Sequence, residues 1–190
     1  MIVEIVDREG RTSSSLESVL FLKKRSIFLT GEINNKLSTD IIQQIMYLAS
    51  LNKEPIQLYI NSPGGSVSDG LAIYDIMRAC GCTVITICTG LAASMAAVLL
   101  AAGTPGHRYC SPNAEVMIHQ VMGQTQGQAT DIELCAAHIR RVKEKINRLL
   151  SEMTGKSIAQ ICLDTDRDNY MDANQALEYG IVDHVGALIV

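Results

Sequence analysis

From Val84 to Ala102 the chain reads Val-Ile-Thr-Ile-Cys-Thr-Gly-Leu-Ala-Ala-Ser-Met-Ala-Ala-Val-Leu-Leu-Ala-Ala, without one charged residue, so any fold must bury it. Val84 to Cys88 is short and rich in β-branched residues, which predicts a buried strand closed by a turn at Thr89-Gly90. The remainder predicts a buried helix. Ser94 then stands near the first turn of that helix, where backbone N–H groups lack partners and the local dipole favours negative charge. A carbonyl attacked there would turn its developing oxyanion toward the Met95 amide, a donor worth about 3 kcal/mol in the transition state. The competing readings are plainer. A serine among alanines also serves as a close-packing residue. The run approaches the length of a membrane span, but its Ala, Gly, Ser and Thr content, the break at Gly90 and the lack of nearby basic residues argue against one. It is not a G-x-S-x-G elbow, because no glycine follows Ser94 closely.

A chain of 190 residues fits one domain. A net charge of −4, few aromatic residues and no Trp argue against a nucleic-acid surface. The six cysteines, Cys80, Cys82, Cys88, Cys110, Cys135 and Cys162, show no C-x-x-C spacing and read as reduced thiols of a cytoplasmic protein. Acidic residues interrupt the apolar start Met1 to Val6, so it does not read as a signal peptide.

Met1 to Val6 alternates weakly, as a short strand or an arm would, and Asp7 to Ser15 is polar and reads as mobile. Leu16 to Leu22 predicts a helix and Ser26 to Thr30 a strand; Ser38-Thr39-Asp40 is placed to cap a helix through Ser50. Pro55 to Ile60 predicts a strand running into Asn61-Ser62-Pro63-Gly64-Gly65 and a helix over Val67 to Cys80. The glycine pair is either a tight turn or a place where a backbone amide faces a ligand. No lysine follows, so it is not a phosphate loop. Glu115 to His119 predicts a strand that delivers His119 at its carboxyl end, where ligands of open α/β sheets gather. That makes His119 a stronger general-base candidate than His107, His138 or His184, although a lone histidine is commonly structural. After a polar stretch, Gln120 to Thr130, an amphipathic helix is expected from Asp131 to about Met153, with Leu134, Ile139, Val142, Ile146 and Leu149 on one face. Asp164, Asp166 and Asp168 have calcium-loop spacing, but Asn169 and Gln175 occupy the positions that need Gly and Glu. No metal or nucleotide motif survives, so no cofactor is expected.

Several segments in order carry a resemblance: Ile60-Asn-Ser-Pro-Gly-Gly-Ser-Val67, Ala72-Ile-Tyr-Asp-Ile-Met77, Thr86-Ile-Cys-Thr-Gly-Leu-Ala-Ala-Ser-Met95, Leu99-Leu-Ala-Ala-Gly103, Arg108-Tyr109, Glu115-Val-Met-Ile-His-Gln120, Gln126-Gly-Gln-Ala-Thr-Asp-Ile-Glu133 and Asp164-Thr-Asp-Arg-Asp-Asn169. Together they resemble the proteolytic subunit of the Clp protease, the ClpP family. The resemblance implies an α/β fold of ClpP/crotonase type with repeated β-β-α units and a protruding handle of a strand plus a long helix. It implies one peptidase domain over residues 1–190, with an N-terminal arm over 1–15 and the handle region over 120–153. Heptameric rings stacked as a tetradecamer are expected, with an AAA+ unfoldase ATPase feeding unfolded polypeptides into a cytoplasmic serine endopeptidase. Carried over residue by residue, Ser94 resembles the nucleophile, His119 the general base and Asp168 the carboxylate that orients it, with the Gly65 and Met95 amides as oxyanion hole. Ser66, Val67 and Ser68 on one side and Gln120, Val121 and Met122 on the other resemble the edges that hold substrate as an added strand. Asp166 and Arg167 resemble a ring-to-ring ion pair, and Gln126 and Gln128 lie in the handle between rings.

The chain departs from the family in two places. Ser15-Leu-Glu-Ser-Val-Leu-Phe-Leu22 lacks both tyrosines of the family's Tyr-Asp-Ile-Tyr-Ser-Arg-Leu-Leu segment, which helps form the ATPase dock. Val121 replaces a proline, and Gly123-Gln124 a glycine pair, on the substrate edge. Cleavage preference and the choice of partner are therefore where this chain is expected to differ, and a second ClpP-type subunit is a candidate partner. Two other functions compete: a latent or regulatory ring subunit active only in mixed assembly, and an acyl-CoA enzyme of crotonase type. The latter needs no serine nucleophile, so the Ser94, His119, Asp168 set argues against it.

Overall fold

The computed structural model describes residues 2–7 and 10–186, with side chains from residue 15 onward. Two antiparallel strands, β1 (Ile2–Asp7) and β2 (Gly10–Ser15), form a separate ribbon. The polar composition of Gly10–Ser15 had not pointed to a strand. Ser15 ends the ribbon and caps α1 (Leu16–Lys24), accepting from the Ser18 N–H.

The body is a seven-stranded sheet. Strands β3 (Ser26–Thr30), β4 (Ile56–Ser62) and β5 (Val84–Ala93) run parallel and adjacent. Helices α2 (Asn35–Leu51) and α3 (Val67–Ala79) supply the crossovers. Ile27, Leu29, Leu58 and Ile60 share one face of β3 and β4 and are wholly buried with Ile41, Ile45 and Leu48 of α2, while Phe28 on the opposite face is 51% exposed. Helix α2 begins earlier than Ser38-Thr39-Asp40 suggested, because the Asn34 side chain accepts from the Leu37 N–H and caps it there. The Ser38 hydroxyl instead donates to the Asp69 carbonyl at 2.8 Å, joining α2 to α3.

Strand β5 does not stop at Thr89-Gly90. Its first half lies between β4 and β6 (Arg108–Cys110); its second half, Leu91 to Ala93, leaves β6 and pairs with β7 (Glu115–Ile118). The pairing with β4 shifts register between Ile60 and Ser62. Gly90, at φ 116°, makes the shift possible, and Asn61 Oδ1 accepts from the Leu91 N–H across it at 3.2 Å. The turn chemistry was legible as local geometry, but it serves a bulge within a longer strand. Beyond it, α4 (Met95–Ala101) is buried at every residue. No helix among the described residues is long and apolar enough to cross a membrane.

Helix α5 (Ala129–Thr154) packs its second half on the body through Ile146 and Leu150. Its first half runs clear of the core, so Leu134, expected on the apolar face, is 65% exposed. Residues 119–128 form no strand. The strand expected for the handle has no paired edge among the described residues, and a strand forms only where its backbone groups find one. Helix α6 (Ile158–Asp164) and strand β8 (Asn169–Asp172) follow, then α7 (Ala173–Tyr179) and β9 (His184–Val185). Asp172 and Gln175 form a capping box on α7. Arg108 closes the structure. It grips Asp183 through Nε at 2.9 Å and Nη2 at 2.6 Å, and its Nη1 donates to the Met153 carbonyl at 2.9 Å.

Candidate active site

The β5–α4 junction holds Ser94 at φ 56° and ψ −122°. A non-glycine residue at positive φ costs of order 1–3 kcal/mol and persists only where its surroundings enforce it. Here the Ser94 N–H donates to the Met117 carbonyl at 2.8 Å, while its own carbonyl accepts from Ala97 at 3.0 Å and Val98 at 3.3 Å. The hydroxyl makes no cap bond to the helix. It meets His119 Nε2 at 2.8 Å.

His119 follows the last residue of β7, and its position is set by the pairing of Met117 with Ala93. On its other edge β7 pairs antiparallel with β8, Ile118 opposite Asn169. That register carries Asp168 alongside His119, with Nδ1 to Oδ1 at 3.3 Å. With its proton on Nδ1, beside the carboxylate, the ring would offer Nε2 as the acceptor for the Ser94 hydroxyl. The His119 side chain is 12% exposed and that of Asp168 59%.

Gly64 and Gly65 back onto this junction. A side chain on Gly64 would place Cβ 2.6 Å from the Ala93 carbonyl oxygen and 2.7 Å from Ser94 Cβ, so only glycine lets the two turns meet. Gly65 bridges Ile33 in parallel fashion. Ile33 donates to the Gly64 carbonyl and accepts from the Ser66 N–H, both at 2.8 Å. Gly65 itself, at φ 146°, lines the cleft. Met95 is the first residue of α4, so its N–H is one that the helix leaves without a partner. Its side chain seats on Gly70 of α3, where a Cβ would collide with it. Ser94, Met95, Gly65 and His119 line a cleft of about 110 Å³, closed on its apolar side by Ile146 and Leu150.

The residues expected at the substrate edges lie on the two sides of the cleft, Val67 on one and Gln120, Val121 and Met122 on the other. Ser66 caps α3, and Val67 and Ser68 already lie in its first turn, so the extended edge on that side is limited to Gly65 and Ser66. Across the cleft, Val121 is half-buried and Met122 is 78% exposed. Gln120 has a contact its spacing did not reveal: its Nε2 donates to the Asp166 carbonyl at 2.8 Å, and its Oε1 accepts from Lys143 Nζ at 3.0 Å. It braces the loop that carries Asp168 against α5. Asp166 and Arg167 lie 3.8 Å apart and largely exposed, and Gln126 and Gln128 are exposed near the start of α5.

The three spaced aspartates diverge. Asp164 accepts from the Tyr179 hydroxyl and the Gln160 amide, both at 2.8 Å, Asp166 points to solvent, and Asp168 meets His119. His184 is bound to the Gly106 carbonyl and stacked on Tyr109, away from the cleft. All six cysteines are free thiols. The hydrogen bond with Cys110, with burial added, pushes the Cys88 thiol up and away from the nucleophilic thiolate.

A family model described as Clp protease matches residues 8–188. With a mixed α/β sheet and seven helices among its described residues, its Ser94–His119–Asp168 contacts and that match over almost its whole length, the chain belongs to the Clp protease family, a family of peptidases.

Proposed function

We propose that the protein is a serine endopeptidase in which Ser94 is the nucleophile, His119 the general base and Asp168 the carboxylate that fixes the imidazole. The observation that carries this reading is the 2.8 Å contact between Ser94 Oγ and His119 Nε2. His119 takes the Ser94 proton as Oγ attacks a peptide carbonyl, and the Gly65 and Met95 amides receive the oxyanion. His119 then returns the proton to the leaving amine, and the acyl-enzyme is opened by water that His119 activates in turn. Treatment with a fluorophosphonate, followed by peptide mass spectrometry, is expected to give a Ser94 adduct that His119→Ala reduces at least about 10²-fold. A chain labelled elsewhere, or equally in the variant, would sink the assignment.

The reading extends to assembly as stacked heptameric rings in the cytoplasm, serving an AAA+ unfoldase that delivers unfolded chains. Supporting it are the exposed Ile132 and Leu134 on the free half of α5 and residues 119–128, which form no strand within the chain's described residues. A groove of about 530 Å³, lined by Phe21, Leu22 and Tyr47 with Ser18, Asp40, Gln43 and Gln44, is the candidate dock although the two family tyrosines are missing. Arg167→Ala is expected to break the tetradecamer into single rings on size-exclusion chromatography and to lower peptidase activity with it, since Asp168 is the next residue. Retention of both would remove this coupling.

One observation favours a second reading, a subunit that is latent until paired with another ClpP-type ring. The Asp168 carboxylate is 59% exposed and stands 3.3 Å from Nδ1, so its hold on the imidazole is weak in the single chain.

A further inference from the structure

We propose that the groove beside the catalytic cleft selects acidic side chains in the substrate, close to the bond that is cut. This rests on the peptidase reading above and deepens it.

The groove has a volume of about 740 Å³ and lies between α3 and α5. It joins the Ser94 cleft through three shared residues, Val67, Val121 and Met122. Its floor is apolar, made by Leu71, Ile139 and Val142, all partly buried. Gly123 lets the segment after His119 lie close on α5, since a Cβ there would collide with the Ile139 side chain. The charged groups that line the groove are His138, Arg141 and Lys145, with no carboxylate among them. Their spacing of three and four residues puts them on one face of α5. A chain of net charge −4 thus turns a purely basic rim toward the space next to its nucleophile. Arg140 and Arg148 of the same helix line a different surface, shared with Glu144.

The cleft at Ser94, about 110 Å³, holds one side chain of modest size. An extended peptide advances about 3.3 Å per residue, so a residue within two or three positions of the scissile bond reaches the larger groove. The side chain that matches both surfaces has an aliphatic stem for the floor and a carboxylate for the rim, which describes glutamate. A lysine there would bring a like charge against Arg141 and Lys145. Because the rim is exposed, each pair contributes modestly and is screened by salt. The preference for Glu over Lys is expected to be about fivefold to tenfold at low ionic strength, shrinking as salt rises.

The experiment uses the assembled full-length protein and a set of internally quenched peptides that differ only in carrying Glu, Gln or Lys at successive positions around one cleavage site. The inference expects kcat/KM to fall from Glu to Gln to Lys at one of those positions. The order should reverse in Arg141→Glu/Lys145→Glu, flatten in Arg141→Gln/Lys145→Gln, and persist in Arg140→Glu. Equal cleavage of all three peptides, or an unchanged order in the reversed variant, would overturn the inference and leave the peptidase reading standing. Cleavage of none, with Ser94 unlabelled by fluorophosphonate, would overturn the peptidase reading and the inference with it. For a labelled but slow enzyme, anisotropy of the fluorescent Glu and Lys peptides on assembled Ser94→Ala decides the matter, and equal affinities count against the groove.

Discussion

Ser94→Ala is expected to lower kcat/KM for a quenched peptide by about 10⁴-fold or more while leaving fold and assembly unchanged. The loss is large because nucleophile and base act as a unit: without Oγ, the His119 ring has no proton to take, and what remains is the oxyanion hole and binding. The fold is spared because alanine keeps Cβ, so the strain at φ 56° stays what it was and the backbone bonds to Met117, Ala97 and Val98 remain. Kinetics beside size-exclusion chromatography check both halves. Activity within tenfold of the parent, in an intact assembly, would place the nucleophile elsewhere.

The second large effect concerns stability. Arg108→Ala is expected to cost about 3–5 kcal/mol in urea unfolding at fixed protomer concentration. The guanidinium is 9% exposed and ties Asp183 to Met153 near the end of α5, so its loss leaves a carboxylate short of partners in a largely enclosed place. The effect has a pH signature. Burial raises the Asp183 pKa, but the hydrogen bonds and charge of Arg108 more than offset this and hold it below the ordinary carboxylate value. In the parent, therefore, this pair's contribution is present above about pH 4, the unfolded value, and is lost as pH falls through the lower folded value. Without the guanidinium the raising influence of burial is opposed only by the backbone N–H groups of residue 108 and Gly106, so the variant's deficit should narrow on acidification. Arg108→Met with Asp183→Leu should recover much of the loss, because an apolar pair of similar volume removes the stranded charge. A constant deficit from pH 7 to pH 3.5 would show that packing, not the ion pair, is what Arg108 supplies.

Much of the site was legible in one dimension because its parts are local. Ser94 stands where a charge-free strand gives way to a helix, and that change of pattern alone marks an amide-rich turn. Gly64-Gly65 sits between strand and helix, and both glycines adopt positive φ. The place of His119 at the end of an apolar strand followed from Glu115 to Ile118. Asp168 was different. Nothing within its own segment indicates a partner, and only the family resemblance joined it to His119. The hidden element was β8, four residues whose burial alternates weakly and whose pairing with β7 depends on a partner about fifty residues away.

The same division holds across the molecule. Hydrophobic period and turn chemistry, which act between near neighbours, determined the strands β3 and β4, the helix α3, the buried α4 and the place of Ser94 by themselves. Tertiary structure decided what depends on a second segment: the switch of β5 from β6 to β7 at Gly90, the brace of Gln120 between Asp166 and Lys143, the clasp of Arg108 on Asp183, and the basic rim of the groove. Each joins residues far apart in the chain, and a hydrogen bond or shared cavity leaves no periodic trace in either partner's own stretch. The exposed half of α5 shows the limit from the other side, since its apolar spacing was plain but Leu134 stands clear of the chain's core.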